Sequence, residues 1–340
     1  MASKNILIVK LSAIGDVIHA LPVSYAIKET FPEARITWVV EPPAYELLTN
    51  NPYIDEVILF EKKKFKSFGG FLRQIGPFKR RLQQRKYDIV LDLQGLFKSA
   101  AIAWLSRAPL KLGCENMREG SHRVSRPVIG THANGHIVER YLDVVRELGC
   151  TVKDVVFPIE ITEREADIAM RLMSQAGADI NNRYVVLAPG ANWPNKRWPA
   201  KHFAQLVNWL YNKNVIPVII GGGVVDERLV AEIEAATEIP PVNLVGKTTL
   251  KQLAYIIKCA QVVVGGDTGP VHLAAGLKIP TIMLMGPTDA VRNGPYGQIE
   301  NAIEVDCDCK YCWKRQCQFN KDCLEQILPT KVVDKIDQLL

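Results

Sequence analysis

The sequence predicts an α/β protein made of two Rossmann-like, doubly wound parallel-sheet domains, and three observations lead to this prediction. The chain has 340 residues, which is too long for one ordinary core and suits two domains. Short runs rich in β-branched residues alternate with helical patterns along the whole chain. These runs are continuously apolar, as is typical of parallel strands covered by helices on both faces.

Eight strands are predicted in two series that are separated by a break near Pro158. The first series is Asn5–Val9, Arg35–Val40, Glu56–Phe60 and Tyr87–Asp92, and the second is Tyr184–Ala188, Val215–Ile220, Gln261–Val264 and Thr281–Leu284. We therefore expect one domain of residues 1–158 and a second domain of residues 159–340, facing each other across a cleft. A closing helix over residues 331–340 can pack back on the first domain. Ligands of such sheets bind at the carboxyl ends of strands.

Composition restricts the class of protein. The chain is 48% hydrophobic and 23% charged, as in soluble globular proteins, and no run approaches the roughly 20 apolar residues of a membrane span. We expect a cytoplasmic protein, because the N-terminus also lacks the pattern of a signal peptide. A nucleic-acid partner is disfavoured, since no nucleic-acid module accompanies the basic residues.

The basic residues are concentrated in one segment. Between Glu61 and Lys86 the chain has ten lysines and arginines against a single acid. This pattern predicts either an anionic partner, such as a phosphorylated substrate or a membrane face, or a solvated helical surface.

The loop after the first strand, residues 10–19, is a candidate binding loop. Asp16 falls in the first turn of the following helix, where it can either face a ligand or complement the helix dipole. The loop lacks G-x-G-x-x-G, which disfavours a nicotinamide-dependent dehydrogenase, and the chain has no Walker A motif of an ATPase or kinase.

Two loops of the second series are further candidate binding loops. Residues 189–199 directly follow a predicted strand and contain Lys196, a cation that can offset the charge of a diphosphate. Residues 265–276 combine glycines with Asp267 and His272 at the start of a helix, a pattern that favours close approach to a phosphate. Gly221–Gly223 adds a further turn after a strand.

Five cysteines lie within residues 307–323. Cys309, Cys312, Cys317 and Cys323 have the spacing C-x₂-C-x₄-C-x₅-C, which suits a tetrahedral thiolate site for zinc or iron. Reduced thiols packed in a loop are the alternative in a reducing compartment.

Residues 6–22, residues 91–99, the Lys196 loop and residues 266–275 resemble, in this order, the motifs of glycosyltransferase family 9. These are the bacterial ADP-heptose:lipopolysaccharide heptosyltransferases, and the first two motifs are more similar to heptosyltransferase I than to heptosyltransferase II. The resemblance implies a GT-B fold and an inverting, metal-independent transfer of L-glycero-D-manno-heptose from ADP-heptose to Kdo of the inner core. It also implies contact with the inner face of the inner membrane, where a Kdo-lipid A type acceptor lies.

The resemblance assigns roles to residues of this chain. Asp16 matches the general base that removes a proton from the acceptor hydroxyl. The residues matched to donor binding are Asn192, Lys196, Thr248, Asp267, Thr268, Gly269 and His272. The residues expected to bind the acceptor are Ser12, Lys62, Lys63 and Lys64.

Two departures from heptosyltransferase I leave the acceptor open. Ala191 and Asn192 stand where that branch has hydroxyl side chains, and the cysteine segment is more similar to heptosyltransferase II and other members. One related branch glycosylates proteins and carries an iron-binding cysteine element. The alternatives are a second-heptose position, a protein acceptor, or a noncatalytic metal- or redox-sensing protein, and the intact Asp16, Lys196 and Asp267 disfavour the last.

Overall fold

The computed structural model describes residues 4–319 and 321–340. The chain divides into two compact units, Met1–Glu160 and Ile161–Leu340. Each unit contains one six-stranded sheet in which all paired strands are parallel. The predicted α/β class with two doubly wound sheets is therefore confirmed.

The sheet of the first unit is built around its first strand. Strands β1 to β6 are Asn5–Val9, Arg35–Val40, Glu56–Leu59, Ile89–Asp92, Leu110–Cys114 and Arg126–Val128. Their spatial order is β3-β2-β1-β4-β5-β6. In the middle of this sheet Ile8 lies between Trp38 and Leu91 on the neighbouring strands, and all three side chains are fully buried.

Helices cover both faces of this sheet, as the continuously apolar strands require. Helices α1 to α4 are Ile14–Thr30, Phe68–Leu82, Phe97–Leu105 and Ile137–Arg146. Helices α1 and α4 pack against each other. Leu82 of α2 and Ile102 of α3 belong to one core cluster with Val9 and Val90, so α2 and α3 cover the same face.

The second unit repeats this design. Strands β7 to β12 are Tyr184–Ala188, Ile216–Ile219, Val242–Asn243, Val262–Gly266, Thr281–Met285 and Ala302–Glu304, in the order β12-β11-β10-β7-β8-β9. Helices α5 to α11 are Glu163–Gln175, Ala200–Asn212, Val224–Ala235, Leu250–Lys258, Gly269–Gly276, Ala290–Asn293 and Pro329–Leu339. Strand β10 is central and pairs with β7 and β11.

The last helix, α11, packs in the second unit. Its buried residues Val332 and Ile336 belong to the core cluster that contains Trp198 and Phe203. The indole nitrogen of Trp198 also donates a hydrogen bond of 2.8 Å to the carbonyl oxygen of Ile327, just before this helix. Within the described ranges, no helix combines the length and the apolarity that a membrane crossing requires.

Candidate active site

A cluster of polar side chains lies at the carboxyl ends of three neighbouring strands in the second unit. Lys196 belongs to the 3-10 turn Pro194–Lys196 that follows β7, Asp267 comes directly after β10, and Thr288 follows β11. These strands are adjacent in the order β11-β10-β7. The sheet therefore brings together three loops that are far apart in sequence, at the edge where such sheets bind ligands.

Asp267 is the centre of this cluster, and its side chain is only 5% exposed. Its Oδ2 accepts hydrogen bonds from Lys196 Nζ at 2.5 Å and from Thr288 Oγ1 at 2.7 Å. The other oxygen, Oδ1, lies 2.8 Å from His272 Nε2. Burial alone would raise the pKa of Asp267, but the contacts with His272 and Lys196 hold it well below its usual range. Asp267 is therefore ionised at neutral pH and fixes the position of the lysine.

Glycines at the end of β10 allow the Lys196 turn to approach the strand. A Cβ on Gly266 would lie 2.0 Å from the carbonyl oxygen of Lys196, and one on Gly265 would lie 2.7 Å from that of Ala188. The sequence pattern predicts that these glycines allow close approach to a phosphate. In the structure, the carbonyl oxygens of Lys196 and Ala188 already occupy the space that a side chain at either position would need.

The predicted donor residues of the 265–276 motif lie at or near the N-terminus of α9. Thr268 is the N-cap and Gly269 the first helical residue, while His272 is buried in the second turn beside Asp267. A helix N-terminus supplies backbone donors and positive potential to an anion. Four of the predicted donor residues, Asp267, Thr268, Gly269 and His272, thus lie within one short segment, and Asp267 pairs with Lys196.

The cysteine segment, residues 307–323, contacts the Lys196 turn. The Trp193 ring has Lys196 Nζ 4.5 Å from its centroid and the Arg315 guanidinium at 5.9 Å. The Asn195 side chain donates a hydrogen bond of 2.6 Å to the carbonyl oxygen of Lys314. The sequence analysis did not single out Arg315 or Thr288. Arg315 lies within the cysteine segment, where only the thiols were considered, and Thr288 belongs to none of the motifs.

The remaining predicted donor residues lie at the same edge of the sheet but outside the carboxylate cluster. Asn192 is exposed in the loop after β7. Thr248 is half-buried in the loop after β9, which is the outermost strand of the sheet. Their roles in donor binding stay predictions.

In the first unit, Asp16 is the third residue of α1. Its Oδ2 accepts a hydrogen bond of 3.0 Å from the backbone N–H of Ala13, so the side chain also caps the helix. Beneath this loop, buried Lys10 donates hydrogen bonds to the Leu93 carbonyl oxygen at 3.1 Å and to the Tyr141 hydroxyl at 2.7 Å. Burial alone would lower the pKa of Lys10, but Tyr141 and Asp16 hold it above its ordinary value. A permanent positive charge therefore lies close to Asp16.

Gln94 ties the loop after β1 to the end of β4. Its Oε1 accepts hydrogen bonds from the N–H groups of Leu11 at 3.0 Å and Ser12 at 3.1 Å. The N–H groups of Gln94 and Gly95 in turn bond to Asp92 Oδ1. The 91–99 motif begins at the end of β4. Through the hydrogen bonds of Gln94 it holds the backbone of the loop that leads to Asp16.

Lys62, Lys63 and Lys64 form an exposed 3-10 turn after β3, and Lys64 pairs with Glu61 at 2.5 Å. The strand order β3-β2-β1 places this turn at the same edge of the sheet as Ser12 and Asp16, with β2 between them. The structure therefore gathers the predicted acceptor residues along one edge of the first unit.

The cysteines of residues 307–323 lie near one another. Cys307 Sγ and Cys309 Sγ are 3.7 Å apart. Burial, followed by the charges of the other four thiols when ionised, raises the pKa of Cys323 to about 12. Apart from residues 1–3 and 320, which are not described, the chain contains no group of three or more His, Cys, Asp or Glu arranged to hold a metal ion. The metal-ligand prediction for Cys309, Cys312, Cys317 and Cys323 thus gains no support from the structure.

Comparison with known proteins identifies the family. The model of glycosyltransferase family 9 (heptosyltransferase) matches residues 75–322. The chain belongs to glycosyltransferase family 9. It is 31% identical over 328 residues to lipopolysaccharide heptosyltransferase 1 of Pseudomonas aeruginosa, covering 93% of this chain and 88% of that relative.

Solved structures of family 9 proteins are similar along the whole chain. The glycosyltransferase family 9 structure from Veillonella parvula has a TM-score of 0.87 at 26% identity, covering 99% of this chain and 97% of that one. The E. coli heptosyltransferase WaaC with ADP-2-deoxy-2-fluoro heptose has a TM-score of 0.74 at 25% identity, covering 98% and 99%. The GT-B fold and the glycosyltransferase activity predicted from the sequence are confirmed.

Proposed function

We propose that this family 9 enzyme transfers heptose from ADP-heptose to the inner core of lipopolysaccharide, with inversion at the anomeric carbon. The observation that carries the proposal is the Lys196–Asp267–His272–Thr288 cluster in a chain similar over 93% of its length to a lipopolysaccharide heptosyltransferase. The cluster offers a positioned cation and a helix N-terminus at one strand edge. Each of these features favours binding of a nucleoside diphosphate.

In this proposal the first unit supplies the general base and the second unit supplies the cation that stabilises the leaving group. An acceptor hydroxyl oxygen forms a bond to the anomeric carbon, its proton passes to the Asp16 carboxylate, and the bond from the anomeric carbon to the diphosphate oxygen breaks. The leaving ADP gains negative charge in this step. Lys196 stabilises that charge, and Asp267 and the Trp193 ring hold the ammonium group in place while the reaction proceeds.

The acceptor we propose is a Kdo-lipid A type molecule at the cytoplasmic face of the inner membrane. Lys62, Lys63 and Lys64 are exposed at the edge that carries Asp16, where they can bind carboxylates and phosphates of such an acceptor. A second-heptose position and a protein acceptor are the alternatives, and the acceptor panel described below separates them.

We further propose that transfer needs no metal ion, so that EDTA leaves its rate unchanged. A loss of rate with EDTA that zinc or iron restores would instead give the cysteine segment a metal-dependent role.

The test is a transfer assay with the purified full-length protein. Each of several nucleotide sugars is offered with Kdo-lipid A, with its heptosylated product, and with a protein acceptor, and Asp16→Asn is the control for chemistry at this site. We expect transfer from ADP-heptose to Kdo-lipid A. Transfer from another nucleotide sugar alone, or neither transfer nor donor hydrolysis, would contradict the proposal.

A further inference from the structure

The cysteine segment connects two loops at the carboxyl edge of the second sheet. The N–H of Trp313 donates a hydrogen bond of 2.9 Å to the carbonyl oxygen of Pro287, in the loop after β11. The next residue, Lys314, accepts the hydrogen bond from the Asn195 side chain, in the turn after β7. The backbone of this segment is therefore held at two neighbouring residues by two different loops.

This connection places Arg315, the residue after Lys314, beside the cluster around Asp267. Strand β10 lies between β11 and β7, so the two connected loops flank the loop that begins with Asp267. Pro287 directly precedes Thr288 and Asn195 directly precedes Lys196. Both anchors of the segment thus adjoin residues whose side chains donate hydrogen bonds to Asp267.

Arg315 brings an uncompensated positive charge to this place. Lys196 pairs with Asp267, so these two side chains together carry no net charge. Arg315 is exposed, and among residues 4–319 and 321–340 no carboxylate oxygen lies within 4 Å of its guanidinium nitrogens. Its Cζ lies 5.9 Å from the centroid of the Trp193 ring, and Lys196 Nζ lies 4.5 Å from the same centroid. One aromatic ring therefore has two cations beside it, of which one is neutralised.

A further positive charge favours a diphosphate at this edge. A nucleoside diphosphate carries several negative charges, which the neutral Lys196–Asp267 pair offsets only in part. A guanidinium group presents parallel N–H donors that fit phosphate oxygens, and an aromatic face helps to orient it. Arg197, the other arginine close to the turn, donates a hydrogen bond of 2.9 Å to the Ala191 carbonyl oxygen and so holds the loop itself.

We propose that Arg315 is a donor-binding residue that contacts the diphosphate of the sugar nucleotide together with Lys196. The inference rests on the proposed function for the identity of the donor. In this arrangement the cysteine segment has a use in the reaction, because its anchored backbone carries the arginine to the donor site. The charge that develops on the leaving diphosphate is then offset by two cations from separate parts of the chain.

Calorimetry with ADP and the full-length protein tests the contact. Arg315→Gln should weaken ADP binding at least about tenfold, because charge-assisted hydrogen bonds to phosphate are lost. Arg315→Lys should bind ADP more tightly than Arg315→Gln, since it restores the charge without the paired donors. Adenosine binding, followed by ligand-observed NMR, should be the same in all three proteins because adenosine has no phosphate. Equal ADP affinity of the parent and Arg315→Gln, or an equal loss of adenosine binding, would overturn the proposal.

The matched control is Lys310→Gln, which removes another exposed positive charge from the same segment. Like Arg315, Lys310 lies beside an aromatic ring, with its Nζ 5.2 Å from the centroid of Tyr311. Its substitution should change ADP affinity by less than about twofold, as expected for an exposed charge that makes no contact with the ligand. The same loss in Lys310→Gln as in Arg315→Gln would reveal an unspecific charge effect and overturn the contact.

Transfer kinetics separate this inference from the proposed function. Arg315→Gln should raise the KM for the nucleotide sugar and leave the KM for the acceptor unchanged. Heptose transfer with a parent-like donor KM in this variant would uphold the proposed function and overturn the role of Arg315. A parent protein that binds ADP but transfers no heptose would contradict the proposed function, while the ADP affinities would still decide the role of Arg315. A parent protein that does not bind ADP would contradict both.

Discussion

Replacing Asp267 by asparagine tests most directly how the Lys196–Asp267–His272–Thr288 cluster, here called the donor cluster, is organised. The substitution keeps the size of the side chain and removes the charge that neutralises Lys196. Lys196 is itself only 13% exposed, so its ammonium group would remain largely buried without a counter-charge. Breaking one partner of a buried ion pair costs about 3–5 kcal/mol of folding free energy, and we expect a destabilisation in that range at neutral pH.

The cost should depend on pH, because the pKa of Asp267 is far lower in the folded protein than its ordinary value of 3.8. A carboxyl group of this kind contributes stability that is fully present above its unfolded pKa and is lost as the pH falls below it. The difference between the parent and Asp267→Asn should therefore be constant from neutral pH to about pH 5 and should shrink below pH 4.

Urea unfolding followed by tryptophan fluorescence measures this difference, and amide hydrogen exchange assigns it to the second unit. The matched control is Asp337→Asn in the same unit, whose partner Lys213 is 3.4 Å away and where both side chains are 49% exposed. An exposed pair of this kind contributes at most about 1 kcal/mol. Equal destabilisation by the two substitutions, or no dependence on pH, would refute the role given to Asp267.

Three further predictions concern catalysis and binding. Asp16→Asn should slow transfer by about 10²–10⁴-fold with ADP binding retained in calorimetry, and parent-like turnover would contradict its role as the base. Lys196→Ala should weaken ADP binding by about 10–100-fold, and unchanged ADP affinity together with unchanged turnover would place the lysine outside the site. Changing Lys62, Lys63 and Lys64 to glutamine should raise the KM for the acceptor at low salt and leave the donor KM unchanged. If the effect on the acceptor KM is the same at high salt, the three lysines do not act through their charge.

The sequence was sufficient to predict the class of fold and eight of its strands. The predicted strands Arg35–Val40 and Tyr184–Ala188 are rich in buried apolar residues and are observed with the same bounds. The strands that were not predicted lie at or next to the sheet edges, where burial is incomplete and the pattern is weaker. Arg126–Val128 and Val242–Asn243 have only three and two residues, and a segment this short has no periodicity to detect.

The donor cluster was only partly predictable. Lys196 and Asp267 stand in loops whose composition marks them, and both lie in the cluster. Thr288 could not be found in this way, because its hydroxyl acquires a role only when β11 pairs with β10 and brings it to Asp267. The glycines of residues 265–276 were predicted to allow close approach to a phosphate, and the structure adds a packing requirement, since a Cβ on Gly266 would lie 2.0 Å from the Lys196 carbonyl oxygen.

The central place of β10 between β7 and β11 has a consequence for the synthesis of the chain. Within the second unit, strands β7, β8 and β9 leave the ribosome before β10, and the edge of β7 that faces β10 stays unpaired until β10 follows. An unpaired strand edge can join other chains. Lys196 also precedes its partner Asp267 by 71 residues, so its ion pair cannot form until that later segment has been synthesised. A nascent or truncated chain that ends before Asp267 therefore has an exposed sheet edge and lacks the Lys196–Asp267 ion pair, and Thr288 joins the cluster only after β11 has followed β10.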